Sequence, residues 1–243
     1  MSELTELEQR CNQLAVTFGS YAMFFLLLPI LVALFRWKSL NKSLKIFFWF
    51  CVATLGLNLL ELSYVHAVNN YTDFFMPWLK LTNYSLTFLF ILYQIKNFAF
   101  LGWFFSDLLK KYDAGSWIKW LSIGLIVSSI IAYVLEEGWR NFGVFGPTTQ
   151  AIYLFIIPFF YLWYLFKNTL AIPIVKNPYF WISIGLITPN LIGLFHYFMA
   201  DTLEEIDICL LARFTIAKNC FEIIGQILLC IGFWRATFAK YLD

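Results

Sequence analysis

Seven long apolar segments, separated by short polar stretches, dominate the pattern of hydrophobic and polar positions along the chain. They cover residues 17–35, 44–65, 83–105, 117–135, 150–166, 178–200 and 208–234. Each has roughly the twenty residues that a helix needs to cross about 30 Å of hydrocarbon. None shows the alternation with a period of two that is typical of a transmembrane β-strand. The pattern predicts an all-α, polytopic membrane protein, a bundle of seven transmembrane helices.

The connections between these segments are short, which leaves no room for a soluble catalytic or DNA-binding domain. A single transmembrane domain over residues 1–243 is therefore predicted. Residues 1–15 are expected to form a short amphipathic or frayed arm. The stretch 66–82 is predicted to lie in the outer membrane interface, the depth that aromatic side chains favour. Four of its residues support this interpretation: Phe74, Phe75, Pro77 and Trp78.

The composition requires the lipid bilayer as a partner. Of the 243 residues, 61% are hydrophobic and 13% are charged, which is too little polar surface for a water-soluble fold. The formal net charge of +2 is the small difference between two opposed surfaces, so it gives no indication of nucleic-acid binding.

The ionisable residues between the segments alternate in sign from one gap to the next. Eleven of the seventeen lysines and arginines lie in alternate gaps, at the first residues of the segment that follows such a gap, or in the C-terminal tail: Arg36, Lys38, Lys42, Lys45, Lys110, Lys111, Lys119, Lys167, Lys176, Arg235 and Lys240. The sixth gap has four acids and no base: Asp201, Glu204, Glu205 and Asp207. Because basic loops mark the cytoplasmic side, the N-terminus is predicted outside and the C-terminus in the cytoplasm. Acidic residues before the first segment argue against a cleaved signal peptide.

The five cysteines show no spacing typical of a metal site. They are Cys11, Cys51, Cys209, Cys220 and Cys230. Buried, unreactive thiols are the expected state. Only Cys11 and Cys209 lie near the predicted outer side, where an oxidising compartment could join them, and the sequence leaves that disulfide open.

Polar residues inside the apolar segments are the strongest pointer to function, because ionisable groups in hydrocarbon are costly and tend to face the interior of a bundle. In the seventh segment they form one helical stripe: Thr215, Lys218, Asn219, Glu222 and Gln226. We predict a polar cavity between the second, third, sixth and seventh helices. The predicted ligand-binding residues are Glu61, Lys96, His196, Arg213, Lys218 and Glu222, and the predicted cavity-lining residues are Asn58, Gln94, Asn97, Asn190 and Asn219.

Three prolines lie inside predicted helices, where each removes a backbone donor and can kink the helix. For Pro29 and Pro158 a packing kink is expected. Pro189 is different because polar and small residues surround it, and a bend there would expose carbonyl groups to a cavity. Pro189 and Gly193 are therefore predicted to form a hinge.

Other interpretations of the same residues receive less support. The buried charges could form interhelical clamps in a structural subunit, with Arg213 or Lys96 snorkelling towards the surface. A lysine in the seventh helix invites comparison with microbial rhodopsins, but retinal on Lys218 would face Lys96 where that family has carboxylates, so no cofactor is expected. Haem on His66 and His196 is less favoured still. No metal site and no catalytic motif is found, and the protein is not expected to be an enzyme.

Three stretches carry a resemblance to known proteins: LNKSLKIFFWF (40–50), KNPYFWISIGLI (176–187) and ILLCIGFW (227–234). In these the chain resembles a group of small seven-helix integral membrane proteins of Bacteroidota. The resemblance implies a multi-pass protein of the bacterial inner (cytoplasmic) membrane and hints at signal transduction. It carries no activity or functional residue over to this chain.

The leading hypothesis is an inner-membrane receptor or sensory component that binds a small, anionic ligand in the outer-facing cavity and signals to a cytoplasmic or membrane partner. In this hypothesis Arg213, Lys218 and Lys96 supply positive charge, and Glu61 and Glu222 position those bases. A small transporter or a proton or solute channel is the alternative, since the seventh-helix stripe extends inwards to Gln226. A structural subunit of a membrane complex is the third.

Overall fold

The computed structural model describes residues 6–71, 74–77, 87–110, 114–134, 145–168 and 173–241. These residues form helices, and no strand occurs among them. Seven of the helices are long and apolar enough to cross a membrane, which confirms the seven segments predicted from hydropathy. The chain is a multi-pass membrane protein by this criterion.

We number the seven helices α1 to α7 in chain order. Helix α1 (Glu6–Phe35) consists of two α-helical parts, Glu6–Ala22 and Leu27–Phe35, joined by a 3₁₀ turn, Met23–Leu26. The others are α2 (Lys42–Asn70), α3 (Thr87–Leu108), α4 (Gly115–Ala132), α5 (Phe145–Lys167), α6 (Pro178–Ile206) and α7 (Ile208–Trp234). Three short 3₁₀ segments follow α1, precede α6 and follow α7: Trp37–Ser39, Ile174–Lys176 and Arg235–Tyr241.

Two predicted connections are helical instead. The arm before the first apolar segment is helical from Glu6 onwards and continuous with α1, so the frayed alternative was wrong for the described residues, whereas the amphipathic alternative is compatible with the helix. The sixth gap shrinks to Asp207, because α6 continues to Ile206 and α7 begins at Ile208. The end of a helix needs no apolar residues once it leaves the hydrocarbon, so hydropathy underestimates the length of such helices. Two residues named above, Trp78 and Lys111, lie outside the described residues.

Side-chain N-caps are present at the first turns of the last two helices, α6 and α7. Asn177 accepts a hydrogen bond from the backbone N–H of Tyr179 (2.9 Å), and Pro178 follows it at the first helical position. Asp207, extended at φ −164°, accepts one from the N–H of Cys209 (2.8 Å). These caps satisfy orphan donors of the first helical turn.

The prolines perturb their helices to different extents. The 3₁₀ turn Met23–Leu26 lies just before Pro29, which cannot donate to the carbonyl of Phe25 four residues earlier. Helix α5 continues through Pro158, and α6 continues through Pro189. The hinge assigned to Pro189 and Gly193 remains a prediction.

The chain divides into two units. Unit 1 contains residues 1–41 and 154–243, and unit 2 contains residues 42–153. Unit 1 thus holds α1, α6, α7 and most of α5, whereas unit 2 holds α2, α3, α4 and the beginning of α5.

In unit 1, glycines allow α6 and α7 to approach closely. A Cβ atom on Gly225 would lie 2.7 Å from the carbonyl oxygen of Gly185 and 3.1 Å from Cδ of Pro189. A Cβ atom on Gly232 would lie 2.8 Å from Cγ1 of Ile182. Small residues serve this purpose in membrane helices, where close backbone packing replaces the hydrophobic driving force.

A disulfide between Cys11 and Cys209 joins α1 to the first turn of α7, with 5.2 Å between the two Cα atoms. The expectation of free thiols was wrong for this pair. Among the remaining cysteines, Cys51 is buried, Cys220 is exposed and Cys230 is partly buried.

In unit 2, α3 packs between α2 and α4. Aromatic rings fill the side facing α2, where the centroids of Phe47 and Phe104 are 5.0 Å apart. On the other side, a Cβ atom on Gly102 would collide with Ser122, whose hydroxyl lies 2.7 Å from the hydroxyl of Tyr153. Further along the same contact between α2 and α3, polar side chains replace the aromatic rings.

Replacing Gly225 with alanine is expected to destabilise the protein by about 1–3 kcal/mol, because the added methyl meets a backbone carbonyl that cannot turn away. Gly124→Ala is the matched control, since nothing lies within 4 Å of its Cβ position and alanine favours a helix by about 1 kcal/mol. Melting temperatures in detergent should therefore fall for Gly225→Ala and hold or rise for Gly124→Ala. Equal shifts in both variants would contradict the close packing of α6 and α7.

Candidate functional site

The eleven predicted site residues fall in both units. Unit 2 holds Asn58, Glu61, Gln94, Lys96 and Asn97, and unit 1 holds Asn190, His196, Arg213, Lys218, Asn219 and Glu222. A cavity shared by the two groups therefore stays a prediction.

In unit 2 a row of polar groups runs along the contact between α2 and α3. We call it the polar seam; it consists of Thr54, Asn58 and Glu61 from α2 and Tyr93 and Lys96 from α3. On α2 the spacing of four and three residues places the three side chains on one face. On α3 the spacing of three does the same.

Lys96 is the charged group buried most deeply in the polar seam. It lies seven residues, or about 10 Å, inside the apolar span Leu89–Leu108, and its residue surface is 8% exposed. Its ammonium donates a hydrogen bond to Oγ1 of Thr54 (2.6 Å). It also lies over two aromatic rings, 4.6 Å from the centroid of Phe50 and 5.6 Å from that of Tyr93.

No carboxylate among the described residues lies within ion-pair distance of Lys96. Cation–π contacts and one hydroxyl compensate only part of the hydration that a buried ammonium gives up. The side chain also does not snorkel to the surface, so the snorkelling alternative does not apply to Lys96. The arrangement favours a complementary anion, or transfer of the proton, at this position.

Tyr93 links the other polar groups of the polar seam. Its hydroxyl lies 2.9 Å from Oδ1 of Asn58 and 2.9 Å from Oε2 of Glu61. A phenol has one proton to donate, so the two acceptors share it. Through this shared donor, Tyr93 of α3 connects Asn58 and Glu61 of α2 in one compact hydrogen-bonded unit.

Two other predicted residues of α3 are buried in unit 2. Gln94 is packed so closely that a Cβ atom on Gly146 of α5 would collide with its amide, and Asn97 is buried as well. The absence of a side chain at Gly146 thus makes room for the amide of Gln94.

In unit 1, Lys218 and Glu222 form an ion pair of 2.8 Å along α7. Because both residues belong to one helix, this pair does not join two helices, and the proposed interhelical clamp does not apply to it. His196 of α6 lies within electrostatic range of both charges. Its ring stacks on Phe214 of α7, with centroids 5.9 Å apart.

The predicted stripe on α7 divides between two neighbours. Thr215 and Asn219 line a groove of about 490 Å³ between α1 and α7, together with Asn12 of α1. A Cβ atom on Gly19 would lie 3.1 Å from Nδ2 of Asn219. Lys218 and Glu222 are instead associated with His196, so the stripe does not line one common space within unit 1.

The remaining predicted residues of unit 1 have local roles or lie at the surface. Asn190 donates to the carbonyl of Leu186 (2.6 Å), and Thr188 donates to that of Ile184 (2.8 Å). Both side chains thus bond to a carbonyl four residues earlier within α6 itself, a local pattern of polar side chains in helices. Arg213 is exposed on α7.

Thr54 and Tyr93 belong to the polar seam but not to the predicted site residues, and Tyr93 is the one that the sequence marks least. A tyrosine in an apolar segment resembles the many other aromatics of the chain, and only its spacing of three from Lys96 would have placed it on the same face. No group of three or more potential metal-binding side chains occurs among the described residues.

Comparison with known proteins gives no assignment. No family model, no curated protein and no solved structure matches the chain.

Proposed function

We propose that the protein is a membrane receptor or sensory component that binds a small anion at the polar seam, with Lys96 as the cationic anchor. The observation that carries this proposal is the buried Lys96 ammonium, whose described partners are a hydroxyl and aromatic rings. An ammonium in a low-dielectric interior gains most from an opposite charge. In this role Thr54 orients Lys96, and Tyr93 keeps Glu61 engaged elsewhere.

An inner-membrane location with the N-terminus outside and the C-terminus in the cytoplasm is part of the proposal. Two independent features support it. The gaps predicted to face the cytoplasm are rich in lysine and arginine. The Cys11–Cys209 disulfide lies at the opposite end of α1 and α7 from Arg36 and Arg235, and disulfides persist on the oxidising side of such a membrane.

Anion-dependent thermal stability of the purified protein tests the site. At constant ionic strength, sodium chloride, nitrate, acetate and phosphate are compared, and at least one is expected to raise the melting temperature of the wild type. Lys96→Met should abolish that shift because it keeps the shape and removes the charge. Lys167→Met, at an exposed lysine that ends α5, should retain it. A shift of equal size in Lys96→Met, or none in the wild type, would refute the anion site.

The second candidate is a transporter or proton channel, which the shared Tyr93 hydroxyl favours, because chains of titratable groups carry protons through membrane proteins. Reconstituted vesicles separate the two functions. A receptor shows anion binding without net flux. Proton or anion flux that Glu61→Gln removes would replace the receptor proposal with transport.

A further inference from the structure

Two surface grooves of unit 2 lie on either side of Trp103. The first runs between α2 and α3 and encloses about 590 Å³, and the second runs between α3 and α4 and encloses about 680 Å³. Lys42 and Trp103 line both grooves. The two grooves therefore share one basic side chain, Lys42, and one aromatic side chain, Trp103, that separates them.

Lysines gather at one end of these grooves. Lys45 joins Lys42 in the first groove, and Lys110 and Lys119 join it in the second. All four belong to the end of unit 2 where α2 begins, α3 ends and α4 begins.

The acidic counterpart at this end is small. Asp107 also lines the second groove, and its Oδ2 accepts a hydrogen bond from Ser43 (2.6 Å), which ties the start of α2 to the end of α3. Lys42, Lys110 and Lys119 form no ion pair with any described residue. Among the described residues that line the two grooves, four lysines stand against one aspartate, which is a formal excess of positive charge.

The rest of the first groove is apolar, whereas the second groove has apolar side chains together with Ser106, Ser116 and Ser122. Trp49 and Trp103 are more than half exposed, and Val52 and Ala53 continue the first groove away from the lysines. From Lys42 to Ala53 the helix rises about 16 Å, close to half of a hydrocarbon layer of about 30 Å. The first groove is thus about as long as an acyl chain in one leaflet.

We propose that a phospholipid with an anionic headgroup binds here, with its phosphate among Lys42, Lys110 and Lys119 and one acyl chain in each groove. A basic end matches the charged headgroup, the apolar first groove matches one acyl chain, and the apolar side chains of the second groove, such as Ile123 and Ile126, offer a surface for the other chain. Basic pockets between transmembrane helices bind anionic headgroups in this way. A soluble phosphate compound would use only the lysine end.

Native mass spectrometry of the full chain in detergent tests the proposal, with phosphatidylglycerol and phosphatidylethanolamine as probes. Phosphatidylglycerol is expected to bind in preference. The double variant Lys42→Gln/Lys119→Gln should weaken its binding about 25-fold, at about fivefold per lysine near a headgroup. Trp103→Ala should weaken the binding of both lipids, because it removes the side chain that separates the two acyl chains.

Two matched controls separate this site from general basicity and general apolarity. Lys38→Gln/Lys167→Gln removes two exposed lysines of unit 1, and Trp163→Ala removes a tryptophan of α5 that is also more than half exposed. Both controls should bind phosphatidylglycerol as the wild type does. Melting temperatures of all variants are measured in lipid-free detergent, so that a misfolded variant is recognised and replaced by the corresponding lysine-to-arginine exchange, which should restore binding.

Several results would overturn the proposal. One is equal binding of the two phospholipids by the wild type. Another is an equal loss of phosphatidylglycerol binding in Lys42→Gln/Lys119→Gln and in its control, Lys38→Gln/Lys167→Gln. Displacement of phosphatidylglycerol by millimolar glycerol phosphate would assign the lysines to a soluble phosphate compound instead.

Discussion

Loss of the disulfide between Cys11 and Cys209 is expected to lower the free energy of unfolding by about 2–4 kcal/mol. The bond closes a loop with a sequence separation of 198 residues, and a long loop in an unfolded chain has much entropy to lose. A membrane protein that unfolds within the bilayer keeps its helices inserted, so its loop is already confined. The expected effect therefore stays below the value for a free chain.

Thermal unfolding of wild type and Cys11→Ala/Cys209→Ala, each with and without a reducing agent, measures this effect. Reduction should destabilise the wild type and leave the double variant unchanged. Cys51→Ala keeps the disulfide and should respond to reduction as the wild type does. A wild type that is indifferent to reduction would contradict the prediction.

The same bond tests the proposed orientation. After reduction, a membrane-impermeant maleimide added to intact cells should label Cys11 and Cys209 from the outer side. Labelling only after the cells are opened would place this end of α1 and α7 in the cytoplasm.

Hydropathy predicted the seven membrane-spanning helices because transfer into hydrocarbon acts on every residue of a span. The predicted seventh segment, 208–234, coincides with α7. Where polar residues continue a helix beyond its apolar segment, as at the beginning of α1 from Glu6 and at the end of α6, hydropathy gives no signal. The propensity of the chain and the caps then decide where the helix ends.

The arrangement of the site residues was harder to predict from the sequence than the helices were. Periodicity places Thr54, Asn58 and Glu61 on one face of α2, as the polar seam has them, but it does not identify the helix that meets this face. On α7 one apparent stripe divides between α1 and α6, because residues only about 100° apart around a helix axis can meet different neighbours. Pairing across helices depends on tertiary packing, which a single sequence does not contain.

The disulfide shows the same limit. Cys11 and Cys209 are far apart in the chain, and neither flanking sequence marks the pairing. Their common position near one membrane face was visible as a possibility, whereas the separation of 5.2 Å between their Cα atoms follows from the packing of α1 against α7.

Replacing Thr54 with valine is expected to destabilise the protein by about 2–3 kcal/mol, because it leaves the buried Lys96 ammonium without a hydrogen-bonded oxygen. Valine has the shape of threonine, so the change removes little packing. Thr54 also donates to the carbonyl of Phe50 (2.8 Å), a helical carbonyl that tolerates the loss. The destabilisation therefore reports on Lys96.

A double-mutant cycle isolates that interaction. In a Lys96→Met background, Thr54→Val should cost less than about 0.5 kcal/mol, which gives a coupling energy of about 2 kcal/mol. Thr215→Val in α7 is the matched control, since its hydroxyl donates to the carbonyl of Leu211 (3.0 Å). It should cost little in either background. Free energies are measured by denaturation in mixed micelles.

The sign of the Lys96→Met effect separates function from structure. A buried charge kept for stability would make Lys96→Met destabilising, because its partners would be lost. A buried charge that serves to bind a ligand destabilises the protein when no ligand is bound. Its replacement by an apolar side chain of similar length is therefore expected to leave the stability unchanged or to raise it. A more stable Lys96→Met variant that has lost its response to anions would therefore favour the receptor over the structural subunit.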